Sequence, residues 1–565
     1  MKRYRLTIFL IFGIFSLFSQ DLEKANQSLE KRGEVVFSFS QTDVTNKLIF
    51  NKLSIDKITE EGRIFAYANK ESFAWFLEQN IPWKYELHTS EMPGEWTMWD
   101  YFAKTDKNWD AYPNYLSYEA LMYDFALNFP EICRIDTIGI LPSGRKLLSV
   151  LISDSINKAE DEPHFLYTST MHGDETTGYM LLLRFADHLL NNYQSDDRIT
   201  HLINNTVIHI NPLANPDGTF RGGNNTLALA TRYNGNSVDL NRNYKDHING
   251  DHPDSKAWQP ETIAFMQYAE KYQFVMAANF HGGTELVNFP WDCKYDLAAD
   301  NDWWFQISKE YADSAKKQTN FNGYFTATGD GVHPGVTNGA GWYVISGSRQ
   351  DYMNYYHHCR EVTLEVSNTK KPNSTNMPYY WNANYPSMLN YWEEVLFGFR
   401  GIVTDSVSHE PIKAKVGLLQ HDIDNSFVYS SLPIGNYHRP VKAGTYSLLF
   451  EADGYCSKTI NNQSIQDKES IRIDIQLSPC PSSVWEFPKP DIKIYPNPIE
   501  DNLFILFKNT NESTFIEIYS VDGKKVYTSE IFQSSQLDLK HLANGFYYLN
   551  IKQRQHSMVY KIIKQ

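Results

Sequence analysis

The chain has 565 residues, of which 42% are hydrophobic and 15% aromatic, so it is too long for one hydrophobic core and about three or four domains are expected. The aromatic content is typical of a well-packed fold and argues against a disordered chain. The formal net charge of -15 makes nucleic acid and anionic membrane surfaces unsuitable partners.

The N-terminus has the pattern of a secretion signal. Basic residues precede an apolar run from Leu6 to Phe18, and small residues follow it up to Gln20. The run is too short for a comfortable membrane span, and no later segment is apolar enough to cross a bilayer. We therefore predict a signal peptide over residues 1–20, no transmembrane span in the mature protein, and a secreted or cell-surface location. A retained N-terminal anchor is the alternative.

Residues 21–111 are predicted to form an N-terminal α+β segment and a connector. Strand-like runs at Val35–Phe39 and Arg63–Tyr67 precede a helical stretch, Lys70–Gln79. The residues after about Glu91 are rich in Trp, Asp and Pro, as in a connector. A pro-segment and an accessory domain are both open interpretations.

In residues 112–397, strands alternate with helices, which predicts an α/β fold with a mixed sheet and helices on both faces. The predicted strands are Cys133–Ile138, Lys146–Ile152, Phe165–Ser169, Thr206–Ile210, Phe274–Phe280 and Glu361–Val366. The predicted helices are one opening at Ser117, one starting near Thr177, one over Asp302–Lys317 and one over Ser387–Phe397.

Residues with metal-binding side chains follow several of these strands. His172 and Glu175 come directly after one predicted strand. His281 follows a second strand, and Glu365 lies at the end of a third. Ligands collect at the carboxyl ends of strands in open α/β sheets, and imidazole and carboxylate groups are ordinary zinc ligands. We therefore expect these side chains to meet at one edge of the sheet.

Six motifs occur in a fixed order along this part of the chain. They are His172-Gly173-Asp174-Glu175, Asn215-Pro216-Asp217-Gly218, Val238-Asp239-Leu240-Asn241-Arg242-Asn243, His281-Gly282-Gly283 with Phe289-Pro290-Trp291-Asp292, Gln350-Asp351-Tyr352 and Glu361-Val362-Thr363-Leu364-Glu365. In this order they resemble the funnelin zinc carboxypeptidases, in particular the regulatory, carboxypeptidase N/E-like branch that removes C-terminal Lys or Arg. The resemblance implies a metallocarboxypeptidase with one Zn²⁺ per chain.

The resemblance also implies a role for each matching residue. His172, Glu175 and His281 would bind zinc and leave a fourth position for water. Glu365 matches the general base. Asp239 matches the acid that orients the first zinc histidine.

On the substrate side, Arg242, beside Asn241, matches the arginine that binds the C-terminal carboxylate through paired charge-assisted hydrogen bonds. Arg232 matches the arginine that stabilises the oxyanion; the alternative is a surface arginine in a polar loop. Tyr343 matches the tyrosine that closes on the substrate.

Asp292 and Gln350 stand where the Lys/Arg-specific branch lines its side-chain pocket, and a buried carboxylate there favours a cationic substrate. Arg349 is charged where that branch has an uncharged residue, so it would neutralise Asp292 if it pointed inward. The chain has five cysteines. Cys293 and Cys359, which flank segments that we place beside the active site, are our predicted disulfide pair.

Two all-β domains are predicted after the catalytic part. Residues 398–478 contain short strands with Gly and Pro turns, as in a small β-sandwich, and Gly435-Asn436-Tyr437 and Gly444-Thr445-Tyr446 resemble a transthyretin-like domain. After a Pro/Ser-rich linker at 479–490, residues 491–565 resemble the C-terminal sorting domain of the type IX secretion system. This resemblance implies the type IX secretion machinery as a partner; a carbohydrate-binding or adhesive β-domain is the alternative.

Our first hypothesis is an exported zinc metallocarboxypeptidase that removes residues, above all Lys or Arg, from peptide or protein C-termini. A second hypothesis keeps the zinc and changes the substrate to peptidoglycan stem peptides or acyl-amino acids. A third is a zinc-free surface binding protein on an inactive scaffold. The presence of both histidines, Glu175 and Glu365 argues against the third.

Overall fold

The computed structural model describes residues 20–46, 48–59, 61–103, 109–480, 492–507, 513–553 and 556–565. These residues form two compact units that divide between Pro479 and Cys480. The predicted signal peptide up to residue 19 and the predicted linker from residue 481 lie outside the described residues. Among the helices in the described ranges, none is long and apolar enough to cross a membrane.

The N-terminal part of the larger unit is a four-stranded antiparallel sheet with helices packed against it. Its elements are α1 (residues 20–32), β1 (Val35–Ser40), α2 (Ile49–Lys52), β2 (Ser54–Ile58), β3 (Arg63–Ala68), α3 (Lys70–Glu78) and β4 (Trp83–Tyr85). The strand order is β2-β3-β1-β4. Phe37 of β1 packs against Phe73 and Phe76 of α3. Strands β1 and β3 and helix α3 agree with the predicted elements, whereas the sequence pattern does not predict β2 or β4.

An eight-stranded mixed sheet forms the centre of the unit. A short parallel ribbon of β5 (Met98–Trp99) and β6 (Tyr112–Pro113) precedes it along the chain. The strands of the sheet are, in chain order, β7 (Cys133–Ile140), β8 (Lys146–Ile152), β9 (His164–Ser169), β10 (Val207–Asn211), β11 (Phe274–His281), β12 (Glu285–Phe289), β13 (Val336–Asn338) and β14 (Arg360–Val366). The order across the sheet is β13-β12-β14-β11-β9-β10-β8-β7. Strands β10, β9, β11 and β14 are parallel to one another. The predicted mixed sheet is confirmed, with β12 and β13 added.

Helices cover both faces of this sheet, as predicted. They are α4 (Tyr115–Asn128), α5 (Thr177–Asn192), α6 (Asp197–Ile203), α7 (Pro216–Thr219), α8 (Pro260–Lys271), α9 (Asn301–Gln318), α10 (Gly339–Trp342), α11 (Arg349–His357) and α12 (Met377–Glu393). Successive residues of a strand point to opposite faces. Phe165 and Tyr167 of β9 lie in one hydrophobic cluster with α4, α5, α9 and α12. Leu166 lies in another cluster with α8 and α11.

Two helix starts differ from the prediction. Helix α4 begins at Tyr115 rather than Ser117, because the Asn114 side chain caps it two residues earlier. Helix α12 begins at Met377 and continues through Pro386, which the sequence pattern treats as a helix break. Buried residues on both sides of this proline pack in the core, so packing outweighs the hydrogen bond that proline cannot make.

The C-terminal part of the larger unit is the predicted β-sandwich. Its strands are β15 (Gly398–Asp405), β16 (Lys415–Leu418), β17 (Val428–Tyr429), β18 (Asn436–Arg439), β19 (Gly444–Glu451), β20 (Lys458–Ile465), β21 (Ser470–Arg472) and β22 (Ile475–Leu477). One sheet contains β18, β15, β21 and β22, and the other has the order β17-β16-β19-β20. Val403 and Phe450, one from each sheet, lie in the shared core.

A buried ionic network joins this sandwich to the catalytic part. Asp300, which precedes α9, lies 3.0 Å from Arg439 through Oδ2 and Nη1, and 3.3 Å from Nη2 of Arg360. Nε2 of His421 lies 2.9 Å from the other oxygen of Asp300. The Asp300 and arginine side chains are almost fully buried, so their charges depend on one another.

The smaller unit is a second all-β module. Its strands are β23 (Ile492–Tyr495), β24 (Asn502–Phe507), β25 (Thr514–Ser520), β26 (Lys525–Ile531), β27 (Ser535–Asp538), β28 (Gly545–Gln553) and β29 (His556–Lys564). They form the sheets β23-β24-β27 and β26-β25-β28-β29. Ile505 of the first sheet and Ile516 and Leu549 of the second share one hydrophobic core.

The predicted disulfide between Cys293 and Cys359 is wrong, because both are free buried thiols. Their surroundings differ: the Cys293 sulfur lies 3.8 Å from the His247 ring, whereas Cys359 lies in the hydrophobic cluster beneath α8.

We expect Asp300→Asn to destabilise the larger unit by about 3 kcal/mol at pH 7, because Arg360 would stay buried without its counter-charge and Arg439 would retain only Asp422. Although burial opposes it, the neighbouring cations lower the pKa of Asp300 below its unfolded value of about 3.9. The stabilisation is therefore present above that pH and is lost as the pH falls. Thermal unfolding should show a smaller gap between variant and wild type at pH 3 than at pH 7. The exposed control Asp302→Asn should match wild type, and an unchanged midpoint for Asp300→Asn at pH 7 would contradict this role.

Candidate metal centre and active site

The candidate site lies at the carboxyl ends of three neighbouring parallel strands, β9, β11 and β14. In the register of β11 with β14, His281 stands directly opposite Glu365. His172 and Glu175 lie in the turn between β9 and α5. The sheet therefore brings together four side chains that are distant in sequence.

Three donor atoms converge in this site. Nδ1 of His172 lies 2.9 Å from Oε2 of Glu175, and Nδ1 of His281 lies 2.8 Å from the same oxygen. The two Nδ1 atoms are 3.0 Å apart, and all three side chains are buried. Burial lowers the pKa of His281 to about 4, so its ring is neutral at pH 7.

Asp239 fixes the orientation of His172. Nε2 of His172 lies 3.1 Å from Oδ1 of Asp239. Burial alone would raise the pKa of Asp239, but the charge of Arg232 and the contact with His172 lower it well below its usual value. Because the ionised carboxylate only accepts hydrogen bonds, Nε2 of His172 carries the proton. The lone pair of Nδ1 therefore faces Nδ1 of His281 and Oε2 of Glu175.

The donor set fits a zinc ion. Two imidazole nitrogens and a carboxylate oxygen are the protein ligands of many catalytic zinc sites. Burial would raise the pKa of Glu175, but His172, Lys370 and His281 lower it well below its usual range, so this oxygen carries negative charge. Three electron-rich atoms that face one another at these distances are stabilised by a cation between them.

Two other groups of potential ligands occur among the described residues: Asp246, His247 and Cys293, and Asp154, Glu160 and Glu162. Both oxygens of Asp246 already accept main-chain N–H groups, at 2.7 to 2.9 Å. The ring of His247 stacks on Tyr355. The Asp246 carboxylate and the His247 ring are thus engaged in other contacts, whereas the donor atoms of His172, Glu175 and His281 face one another.

Glu365 lines the same cavity as the three donors. Its Oε2 atom is buried and has no hydrogen-bond partner within the described ranges. Burial, followed by the charge of Glu175, raises the pKa of Glu365 well above its usual value. A divalent cation near the two carboxylates would oppose that shift. Glu365 is therefore a carboxyl group able to exchange a proton inside the cavity.

The cavity has a volume of about 310 Å³. Nine of the predicted site residues line it: His172, Glu175, Arg232, Asn241, Arg242, His281, Asp292, Tyr343 and Glu365. Asp239 does not line the cavity but contacts two residues that do, His172 and Arg232. Gln350 does not line the cavity; it is buried, and both polar atoms of its amide lack a hydrogen-bond partner in the described structure.

Asp292 is not neutralised by Arg349. Nδ2 of Asn288 donates a hydrogen bond to Asp292 at 2.9 Å, and burial raises the pKa of this aspartate. Arg349 instead forms an ion pair with Glu361 at 3.2 Å, and its guanidinium lies 5.1 Å from the centre of the Phe265 ring. The inward-pointing alternative for Arg349 is therefore wrong.

The sequence analysis missed two charged residues of the site, Lys370 and Asp56. Nζ of Lys370 lies 3.1 Å from Oε1 of Glu175 and 2.5 Å from Oδ1 of Asp56. A lysine five residues beyond Glu365 is a signal that could have been noticed. Asp56 lies on β2, in a separate segment, and no sequence pattern connects it to this site.

Comparisons with known proteins identify two regions of this chain. Residues 118–387 match the family model described as zinc carboxypeptidase, and residues 493–565 match that of a secretion system C-terminal sorting domain. Carboxypeptidase D of Mus musculus is 31% identical over 378 residues, which cover 64% of this chain and 26% of that protein. Carboxypeptidase E of Caenorhabditis elegans is 31% identical over 424 residues, 67% of this chain and 89% of that protein.

Among solved structures, the carboxypeptidase A from Helicoverpa armigera aligns with a TM-score of 0.49 at 18% identity, over 64% of this chain and 97% of that one. This chain spans about a quarter of the length of the carboxypeptidase D relatives that it matches. The sorting domain indicates export to the cell surface or beyond it. The match to carboxypeptidase E covers 89% of that protein at 31% identity, and residues 118–387 match the zinc carboxypeptidase model. The chain therefore belongs to the zinc carboxypeptidase family.

Proposed function

We propose that this protein is an exported zinc carboxypeptidase that hydrolyses the C-terminal peptide bond of peptides, with a preference for Lys or Arg. The observation that carries the proposal is the convergence of two imidazole nitrogens and the Glu175 carboxylate beside Glu365. Arginine side chains lie in the same cavity, and they suit a substrate that ends in a carboxylate.

The chain's own residues divide the chemistry among them. Zinc held by His172, Glu175 and His281 would polarise the scissile carbonyl and lower the pKa of a water molecule. Glu365 takes a proton from the attacking water on its carboxylate and returns it to the nitrogen of the leaving amine. Asp239 holds His172 in the tautomer that keeps Nδ1 free to act as a ligand.

Arg242 and Arg232 bind two different groups of the substrate, the terminal carboxylate and the carbonyl oxygen of the scissile bond. Arg242, with Asn241, binds the terminal carboxylate, since a planar guanidinium forms two parallel hydrogen bonds with it. Arg232, whose Nη1 lies 3.5 Å from Oε1 of Glu175, stabilises the negative charge that develops on the carbonyl oxygen. Tyr343, at the cavity wall, closes over the bound residue.

Asp292 is the proposed specificity determinant. Its carboxyl group is buried at the cavity wall and accepts a hydrogen bond from the neutral Asn288 side chain. A cationic substrate side chain would supply the missing counter-charge, whereas an apolar one would leave it unpaired. We propose a secondary contribution to specificity from Gln350, which does not line the cavity.

Export is proposed to use the type IX secretion machinery, which would read the second β-module as an address. The match of residues 493–565 to a secretion sorting domain supports this partner.

The purified protein should contain about one zinc ion per chain. His172→Ala should lose the metal, because it removes one of three ligands. His247→Ala, the matched control from the group of Asp246, His247 and Cys293, should retain the metal. Elemental analysis after dialysis measures both, and full zinc retention by His172→Ala would refute the ligand assignment.

Glu365→Gln should keep its zinc and lower kcat about 10²- to 10⁴-fold, because the amide cannot accept the proton of water. The assay is hydrolysis of dansyl-Ala-Arg. Glu131→Gln, at an exposed position of the same domain, should behave as wild type. Near-normal turnover by Glu365→Gln would exclude this residue as the base.

Dansyl-Ala-Arg should be cleaved with a higher kcat/KM than dansyl-Ala-Phe. Asp292→Asn should lower kcat/KM for the Arg substrate at least about 30-fold, since it removes one partner of a buried charge pair. It should affect the Phe substrate little. The exposed control Asp296→Asn should leave both values unchanged, and an equal loss on both substrates would argue against a specificity role.

A further inference from the structure

Asn279 lies next to the second metal histidine. It stands two residues before His281 on β11, so the two side chains are on the same face of the sheet. Nδ2 of Asn279 lies 2.8 Å from Nε2 of His281, and the amide is buried. Nε2 is the ring nitrogen that does not face His172 and Glu175. Asn279 therefore holds the ring by the nitrogen opposite the ligand atom.

The tautomer of His281 decides which end of the Asn279 amide suits it. A neutral imidazole carries one proton. When Nδ1 is a metal ligand, that proton is on Nε2, and the Nε2–H group needs an acceptor. An amide N–H group suits the other tautomer, in which Nε2 has the lone pair and Nδ1 carries the proton. Because the oxygen and nitrogen of an amide exchange places by a half-turn of its terminal torsion, Asn279 can serve either tautomer.

The other end of the amide faces Thr168 on the neighbouring strand. Thr168 of β9 is the register partner of Asn279, and its Oγ1 lies 3.1 Å from Oδ1 of the amide. Nη1 of Arg349 donates a hydrogen bond to the same Oγ1. A hydroxyl oxygen has two acceptor lone pairs. It can therefore accept from both Arg349 and the amide nitrogen when the amide oxygen faces His281.

In that orientation the hydroxyl proton of Thr168 needs another acceptor, and one is adjacent. Asn211 of β10 is the register partner of Thr168 on its other side. Its Nδ2 donates to the Leu148 carbonyl at 2.7 Å, but its Oδ1 is buried and has no hydrogen-bond partner in the described part of the chain. Buried carbonyl oxygens are rarely left unpaired. A hydroxyl that turns toward Asn211 would satisfy both groups.

Arg349 is anchored independently of Thr168. Its guanidinium pairs with Glu361 at 3.2 Å, and its main-chain N–H group donates to Oδ1 of Asn241 at 3.0 Å. An arginine side chain has donors and no acceptor, so the Thr168 hydroxyl always receives a hydrogen bond from this side. Buried polar side chains thus form a continuous row from Glu361 through Arg349 to the Asn279 amide.

We propose that Asn279 is the positioning residue of the second metal histidine. In the metal-bound enzyme its Oδ1 accepts the Nε2–H of His281, which keeps Nδ1 free as a ligand, and its Nδ2 donates to Thr168, which Arg349 holds from the other side. The first metal histidine is oriented by a carboxylate instead. The inference rests on the metal centre of the proposed function, and its test measures metal binding rather than turnover.

The zinc dissociation constant of the full-length protein, measured by competition with a chromophoric chelator, is compared among variants. Asn279→Leu removes the acceptor at nearly constant size and should raise this constant about 10- to 100-fold. Asn279→Asp can accept but not donate, so it should bind zinc within about threefold of wild type or more tightly. The matched control is Asn384→Leu, at a buried asparagine of α12 that does not line the cavity. It should bind zinc like wild type.

Thr168→Val tests the same claim if Asn279→Leu fails to fold, which thermal unfolding reveals. Without the hydroxyl, the amide nitrogen loses its acceptor, so the zinc dissociation constant should rise about 3- to 10-fold. Thr168→Ser, which keeps the hydroxyl, should restore it.

Three results would overturn the inference. They are wild-type zinc affinity in Asn279→Leu, equally weak binding by Asn279→Leu and Asn279→Asp, and tighter binding by Thr168→Val. The last would mean that the hydroxyl directs the amide nitrogen, and not its oxygen, toward His281. A wild-type protein that binds no zinc would refute the metal centre and this inference with it, whereas zinc binding by wild type with unchanged variants would refute this inference alone.

Discussion

The site depends on one electrostatic constraint: three electron-rich atoms lie within 3.0 Å of one another in a buried position. Parallel strands create this constraint, because β11 and β14 end side by side with His281 opposite Glu365. The turn after β9 adds His172 and Glu175. A cation is the species that makes such a cluster favourable, since neutralising it with protons would abolish the lone pairs that the histidines present.

Acidic and basic side chains alternate around this cluster. Asp239 orients His172, and Arg232 lies between Asp239 and Glu175. Lys370 then links Glu175 to Asp56 of the N-terminal segment. Buried charges are stable only when each has a counter-charge, so the network extends naturally beyond the catalytic part. This electrostatic requirement explains how a separate α+β segment becomes integrated into the site.

Much of the site could be predicted because its residues follow strand ends in ordered motifs. The mixed sheet follows from the alternation of strands and helices. Strand β12 and the edge strand β13 were not predicted because they are short and flanked by functional motifs. The sequence pattern predicts helix α12 only from Ser387, because the packing of the residues before Pro386 against the core cannot be recognised from the local sequence. The contacts of Arg349 with Glu361 and of Asp56 with Lys370 join distant segments, and a single sequence carries no signal for such pairs.

The central claim, that one metal ion is held by the three converging donors, is tested most directly by zinc K-edge X-ray absorption of the purified protein. The account predicts a first shell of nitrogen and oxygen only, at about 2.0–2.2 Å, with outer-shell scattering from two imidazole rings. A sulfur ligand at about 2.3 Å would place the metal at the group that includes Cys293. That result, or a shell of oxygens alone, would contradict the account.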